Sequence, residues 1–174
     1  MPFVTGATSA QLGGPDDYSG IELRGDVLVY TSEVLEEPLQ LIGAVQLVLH
    51  ATSSAPDTDF TGKLLDVHPT GFAQRLCDGI VRARFRDGFD EERLLEPGQE
   101  VEYAIDLWHT AHVFRPGHRL RVEVASSAFP KYDRNLNTGE PLATSTRMAT
   151  AAQVVHHDAA RPSHLLCPVL PLQQ

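Results

Sequence analysis

These 174 residues predict an all-β chain folded as a two-sheet sandwich of the jelly-roll type. Three observations carry that expectation. About eight short segments alternate apolar and polar residues with a period of two. Turn signals such as Pro69-Thr70-Gly71, Pro97-Gly98 and Pro116-Gly117 stand between them. No stretch longer than about ten residues keeps the 3.6-residue apolar period of a helix. Many short strands separated by turns favour two packed sheets over a meander or an α/β fold.

In chain order, residues 2–20 are rich in Gly, Ser, Thr and Pro and have no apolar period, so they read as a linker or arm, with residues 21–174 as the domain. Phe3 stands out in that arm as a large apolar residue with no local partner. A first strand is expected over 27–31. A longer one follows over 39–51, with Gly43 as a bulge or bend and Val45, Leu47 and Leu49 facing inward. Residues 58–67 and 80–86 read as a strand pair. In the second of these, Val81, Ala83 and Phe85 alternate with Arg82, Arg84 and Arg86, which read as a solvated face. An acidic loop over 87–96 precedes a strand over 100–107, with Val101, Tyr103, Ile105 and Leu107 inward. Residues 119–126 show the clearest alternation, Leu120, Val122 and Val124 against Arg119, Arg121 and Glu123. Strands over 152–157 and 163–168 complete the set. Residues 128–149 form a long loop without pattern, a length that in compact domains is usually functional or packed against something.

Composition narrows the function classes. A chain of this length buries about 70% of the surface its unfolded form exposes and needs no covalent staple. The 42% hydrophobic and 21% charged content is that of an ordinary globular domain. A net charge of −9 without a clustered basic face argues against a nucleic-acid partner. No apolar run approaches the ~20 residues of a membrane span, and no signal region follows Met1, so a cytoplasmic address is expected. Cys77 and Cys167 lie far apart beside apolar residues and read as small buried hydrophobes, not as a disulfide.

The chemistry-bearing residues give no complete active site. A serine hydrolase of the α/β type needs a G-x-S-x-G elbow, and none occurs. His156 and His157 are strand neighbours pointing to opposite faces; His109 and His112 would need a helix to share one. No H-x-H pair is present, so no metal or other cofactor is expected. Residues 133–140 have the D-x-N-x-N spacing of a calcium loop, but Thr138 stands at the sixth position and Thr144 at the twelfth. Asp133, Asn135 and their neighbours then read as a loop bonded to its own backbone. Asp57 and Asp59, just before Phe60, read as turn residues or buried hydrogen-bond acceptors, with calcium ligands as the alternative. The acidic run Glu91, Glu92, Glu96, Glu100 and Glu102 reads as solvated.

Three stretches together resemble one family: SSAPDTDFTGKLLDVHPTGFAQRLCDGIVRARFR at 53–86, FRPGHRLRVEVASSAFPKYDRNLNTG at 114–139 and RPSHLLCPVLP at 161–171. They look like the C-terminal domain of the X-prolyl dipeptidyl-peptidase and cocaine esterase group of serine acyl hydrolases. The resemblance implies a jelly roll of the galactose-binding-like type, and a parent enzyme whose α/β-hydrolase domain carries the triad beneath a helical cap. No catalytic residue transfers to this chain. The resemblance further implies that the domain packs on the hydrolase core and helps wall the substrate pocket, with Phe3 as a pocket-wall residue. Asp57, Asp59, Phe60, Phe129, Tyr132, Asp133, Arg134 and Asn135 then serve as domain-interface or loop-bracing residues.

Two other readings stand beside this one: a free-standing carbohydrate-type binding module, for which Trp108 and four tyrosines are the available platforms, and an autonomous enzyme. A wall domain exposes the apolar patch that meets its partner, so a homodimer through that patch is also expected.

Overall fold

The computed structural model describes residues 17–171 and contains ten strands: β1 (Leu28–Thr31), β2 (Leu39–Ser53), β3 (Asp59–Val67), β4 (Ala73–Arg82), β5 (Glu100–Phe114), β6 (Arg119–Ala125), β7 (Gln153–Asp158), β8 (Arg161–Pro162), β9 (His164–Leu166) and β10 (Val169–Leu170). Every pairing is antiparallel. One sheet has the order β1-β6-β3-β4. The other is built on β2, which pairs with β5 along one edge and with β10, β9 and β7 in succession along the other.

The alternating residues fill the space between the sheets. Val45, Leu47 and Leu49 of β2 and Tyr103, Ile105 and Leu107 of β5 pack against Phe60 and Leu64 of β3, Cys77 of β4 and Val124 of β6. The rings of Phe60 and Tyr103 meet across the interface at 4.9 Å between centroids. The layers approach closely where β4 passes β5: a Cβ on Gly79 would lie 1.9 Å from the carbonyl oxygen of Asp106. Only a residue without a side chain fits there. Gly43 is a second forced glycine. Its φ of +136° and the ring of Pro168 at 2.8 Å from a built Cβ leave no room for another residue, and the β2–β5 register shifts just beyond it, between Ala44 and Gln46.

The structure differs from the sequence reading in three places. The strand expected over 100–107 continues to Phe114, because β2 offers it an equally long partner edge. The strand expected over 163–168 is divided into β9 and β10 around Cys167 and Pro168; Pro168 has no N–H for a ladder. The second strand of the 53–86 pair begins earlier, at Ala73, and ends at Arg82, where Ala83–Phe85 close into a single 3-10 turn. The arginines that follow are therefore not a solvated row.

Glu123, on the outer side of β6, is fully buried, because the segment from Asp17 onward crosses that face. Tyr18 packs on Leu65, Val67 and Ala73, and Glu22 pairs with Arg121. This cover leaves β3 buried along all nine residues.

Candidate functional site

The long loop meets the sandwich over a set of carboxylates at the start of β3. Asp57 precedes the strand and Asp59 begins it, on its outward side, so both carboxylates lie under residues 128–149. The 3-10 turn that ends β4 brings Arg84 to Asp57. Its backbone N–H donates to Oδ1 at 3.0 Å and its Nε to Oδ2 at 2.8 Å. The same guanidinium donates to Glu92 at 3.0 Å and to the carbonyl of Glu140 at 3.0 Å. Arg82, the last residue of β4, donates to both oxygens of Asp59 at 2.8 and 2.9 Å and to both of Asp133 at 3.1 Å. The bond to Asp59 is the larger cause holding the Arg82 guanidinium further into its charged form.

Asn135 closes this set. Its Nδ2 donates to Asp57 at 2.9 Å and to Asp59 at 2.8 Å, while its Oδ1 accepts the backbone N–H of Asn137 at 2.9 Å. Asn137 takes the left-handed backbone conformation, φ 59°, that Asn tolerates, and its side chain donates to the carbonyl of Ala149 at 3.0 Å. The carboxylates that a calcium ion would require are thus facing guanidinium and amide groups.

Of the sequence-expected residues, Asp57, Asp59, Asp133 and Asn135 come together here, and Phe60 lies beneath them in the core. Tyr132 is half-buried under the ammonium of Lys131, 5.2 Å from its ring centroid. Arg134 is exposed and touches the sulfur of Met148 at 4.0 Å. Phe129, after which the chain turns through a cis peptide to Pro130, is 66% exposed. Phe3 lies outside the described residues. Sequence reasoning missed Arg82, Arg84 and Glu92 as members, taking them as solvated.

Beside this loop a cleft of about 790 Å³ opens between the covering segment, the outer face of β3 and β4, and residues 126–131. Lys63, Asp78, Phe129 and Lys131 are among its walls. Both lysines of its walls are paired with carboxylates: Lys63 with Glu123 at 3.0 Å, and Lys131 with Asp78 at 2.6 Å. Burial raises the Glu123 carboxyl pKa above its ordinary value, against the lowering effect of Lys63.

A second polar cluster lies at the far end of β3. Asp66 is 2% exposed and accepts from His112 at 2.8 Å on Oδ2 and from His118 at 2.8 Å on Oδ1. His68 Nε2 stands 3.9 Å from the same Oδ2, and the rings of His68 and His118 are 4.5 Å apart. The contributing residues come from β3, β5 and the turn before β6, so no sequence spacing marks them. The only local trace is the D-x-H at Asp66 and His68.

Neither cysteine is a nucleophile in this setting. Burial pushes the Cys77 thiol up to about 12, and it also raises that of the half-buried Cys167. Both are unbridged. No serine among the described residues combines a hydrogen-bonded histidine with an orienting carboxylate.

Comparison with known proteins accounts for the missing nucleophile. Residues 2–166 match the family described as the X-Pro dipeptidyl-peptidase C-terminal non-catalytic domain. The chain is 48% identical over 159 residues to the cocaine esterase of Rhodococcus sp. (strain MB1 Bresler), covering 90% of this chain and 28% of that esterase. Two solved structures share its fold at 34% identity. An aminopeptidase from the marine sediment archaeon Thaumarchaeota archaeon superposes with a TM-score of 0.89 over 95% of this chain and 30% of its own. An α-amino acid ester hydrolase does so with a TM-score of 0.85 over 90% of this chain and 27% of its own. This chain therefore spans under a third of the length of each of these relatives. It belongs to the family of X-Pro dipeptidyl-peptidase C-terminal non-catalytic domains.

Proposed function

We propose that this chain is the wall and docking domain of a serine acyl hydrolase, packing on an α/β-hydrolase core beneath its cap and shaping the substrate pocket. The observation that carries the reading is an apolar stripe on the outer face of the β2 sheet. In register, Ile42 stands opposite Ala111, Gln40 opposite Val113 and Leu170, and Gln46 opposite Leu166. Ile42, Val113, Leu166 and Leu170 are each exposed on a sheet whose other face is core. A monomer gains nothing from such a stripe, and a partner of matching shape buries it.

In this reading Asp57, Asp59, Asp133 and Asn135 brace the long loop through Arg82 and Arg84. Phe129 and Tyr132 then present a fixed surface to the partner, with Arg134 at its rim. Rigid placement of a pocket wall matters because a misplaced substrate loses much of its proximity advantage. Phe3 lines the acyl pocket from the arm. The two unbridged cysteines fit a cytoplasmic address. In the absence of a hydrolase core, the stripe pairs two copies of the chain.

The test is association with the separately expressed portion of the Rhodococcus cocaine esterase that does not match this chain. Ile42→Asp and Val113→Asp are expected to weaken binding at least tenfold and to abolish any homodimer seen by light scattering. Unchanged binding in both variants removes the stripe from the proposal. Phe3→Ala, placed in an active fusion with that portion, is expected to change acyl-chain preference. An unaltered preference removes Phe3 from the pocket.

A further inference from the structure

The Asp66 cluster at the far end of β3 belongs neither to the long-loop network nor to the apolar stripe. We infer that Asp66, His68 and His118 form a binding site for a single divalent transition-metal ion of the zinc type. Two imidazoles and one carboxylate are the ligand types such an ion selects, and three protein ligands leave one position open.

The three side chains each offer a ligand atom, and all of these atoms lie within 4.8 Å of one another. Bonds of about 2.0–2.2 Å to one tetrahedral ion place ligand atoms about 3.3–3.5 Å apart. His118 Nδ1 and Asp66 Oδ1 are now 2.8 Å apart, sharing a proton where the ion would sit, so they separate by roughly half an ångström. His68 closes on them by a ring rotation. Its backbone is already fixed, since its N–H donates to the carbonyl of Phe72 and its carbonyl accepts from Gly71, both at 2.9 Å.

The surroundings fit an ion as well. His112 donates to the other oxygen of Asp66 at 2.8 Å, the outer hydrogen bond that orients a ligating carboxylate. Gln74 Oε1, 3.3 Å from His68 Nε2, is a neutral oxygen within reach of the open position. The ion pairs of Asp66 among the described residues are all to imidazoles, with no Lys or Arg to compete with a dication. His68 is partly exposed and gives the ion a way in. Binding puts the ion in place of the His118 Nδ1 proton; that proton leaves to solvent and one is taken up at Nε2, so the ligand stays a neutral imidazole with no net proton released.

The experiment is Co²⁺ and Zn²⁺ titration of the untagged 174-residue chain, freed of metal with chelator, followed by calorimetry and by the visible absorption of bound Co²⁺. One equivalent is expected, with the absorption of a four-coordinate nitrogen and oxygen site that Zn²⁺ then displaces. His68→Ala alters a side chain at the surface and keeps the fold. It is expected to weaken binding at least tenfold, and His118→Gln likewise. His164→Ala, on β9, is expected to bind as the unaltered chain does. Less than stoichiometric Co²⁺ binding overturns the assignment. So does a His68→Ala chain that binds with unchanged affinity and spectrum, because the ion would then be held elsewhere. Both readouts concern metal alone, so their outcome is separate from that of hydrolase docking.

Discussion

Arg84 and Asp57 form an ion pair with almost no solvent contact, the guanidinium residue 1% and the carboxylate residue 0% exposed. The pair is held at 2.8 Å through Nε and is tied by the remaining guanidinium nitrogens to Glu92 and to the Glu140 carbonyl. Four chain segments, around residues 57, 84, 92 and 140, therefore meet on one side chain. Breaking a buried pair leaves an uncompensated charge and costs about 3–5 kcal/mol. Arg84→Met is expected to lose that much in urea unfolding. Arg84→Lys is expected to lose most of it, because a single ammonium cannot reproduce the planar fork that serves three partners. The double variant Arg84→Met/Asp57→Leu is not expected to recover, since the backbone N–H at residue 84, one bond of Asn135 and the Glu140 carbonyl lose their partners.

Lys63 and Glu123 provide the contrasting case. This pair is buried on the outer face of β3 and β6, the ammonium lies 5.5 Å from the Tyr18 ring centroid, and among the described residues Glu123 Oε1 has no hydrogen-bond partner. Lys63→Met alone is expected to cost about 3–5 kcal/mol, whereas Lys63→Met/Glu123→Leu should return to within about 1 kcal/mol of the parent, since two apolar side chains replace a desolvated pair. A double-mutant cycle by urea denaturation measures both. A double variant as unstable as the single one contradicts the expectation.

The strands were legible in the sequence because alternation maps directly onto burial. Val45, Leu47 and Leu49 and Tyr103, Ile105 and Leu107 are buried as their period demands. The same rule misled at residues 82–86. Alternation of Arg with Val, Ala and Phe looks identical whether the chain continues as a strand or closes into a 3-10 turn. The partners that decide it, Asp57 and Asp59, are more than twenty residues away in sequence. The burial of Glu123 was not legible for a related reason: alternation places it on the polar face of its strand, and what covers that face is the segment around Tyr18 and Glu22, which shows no pattern of its own. The Asp66 cluster was invisible because its imidazoles arrive from separate elements.

Gly79 tests the closeness of the two layers. With the Asp106 carbonyl at 1.9 Å from a built Cβ, Gly79→Ala forces β4 and β5 apart. The cost is expected to be at least about 3 kcal/mol, the upper range for overpacking, because backbone and not a flexible side chain must yield. Gly71→Ala has only its φ of +89° to resist it and open space around it, and is expected to cost less. Thermal unfolding of the two variants orders them.

Alkaline stability follows from Cys77 and Tyr103. Burial raises the thiol from 9.0 to about 12 and the phenol from 10.0 to about 12. A raised folded-state pKa means the folded chain keeps protons that the unfolded chain releases. The stabilising effect is complete below pH 9 and is lost between pH 9 and about 12, at up to about 1.4 kcal/mol per pH unit for each group. Cys77→Ala is expected to flatten the lower part of that decline in urea midpoints measured from pH 8 to 11. At pH 8 a thiol reagent is expected to reach Cys167 well before Cys77, which should react only at the rate of chain opening.

In the proposed function the chain contributes structure, not chemistry, to an acyl hydrolase. The most direct measurement is ester turnover by three purified proteins: this chain alone, the Rhodococcus cocaine esterase without the part that matches this chain, and that esterase with this chain in place of the matching part. No turnover is expected from the chain, little from the truncated esterase, and restored turnover in the fusion. Turnover by the chain alone, or a truncated esterase as active as the fusion, would contradict it.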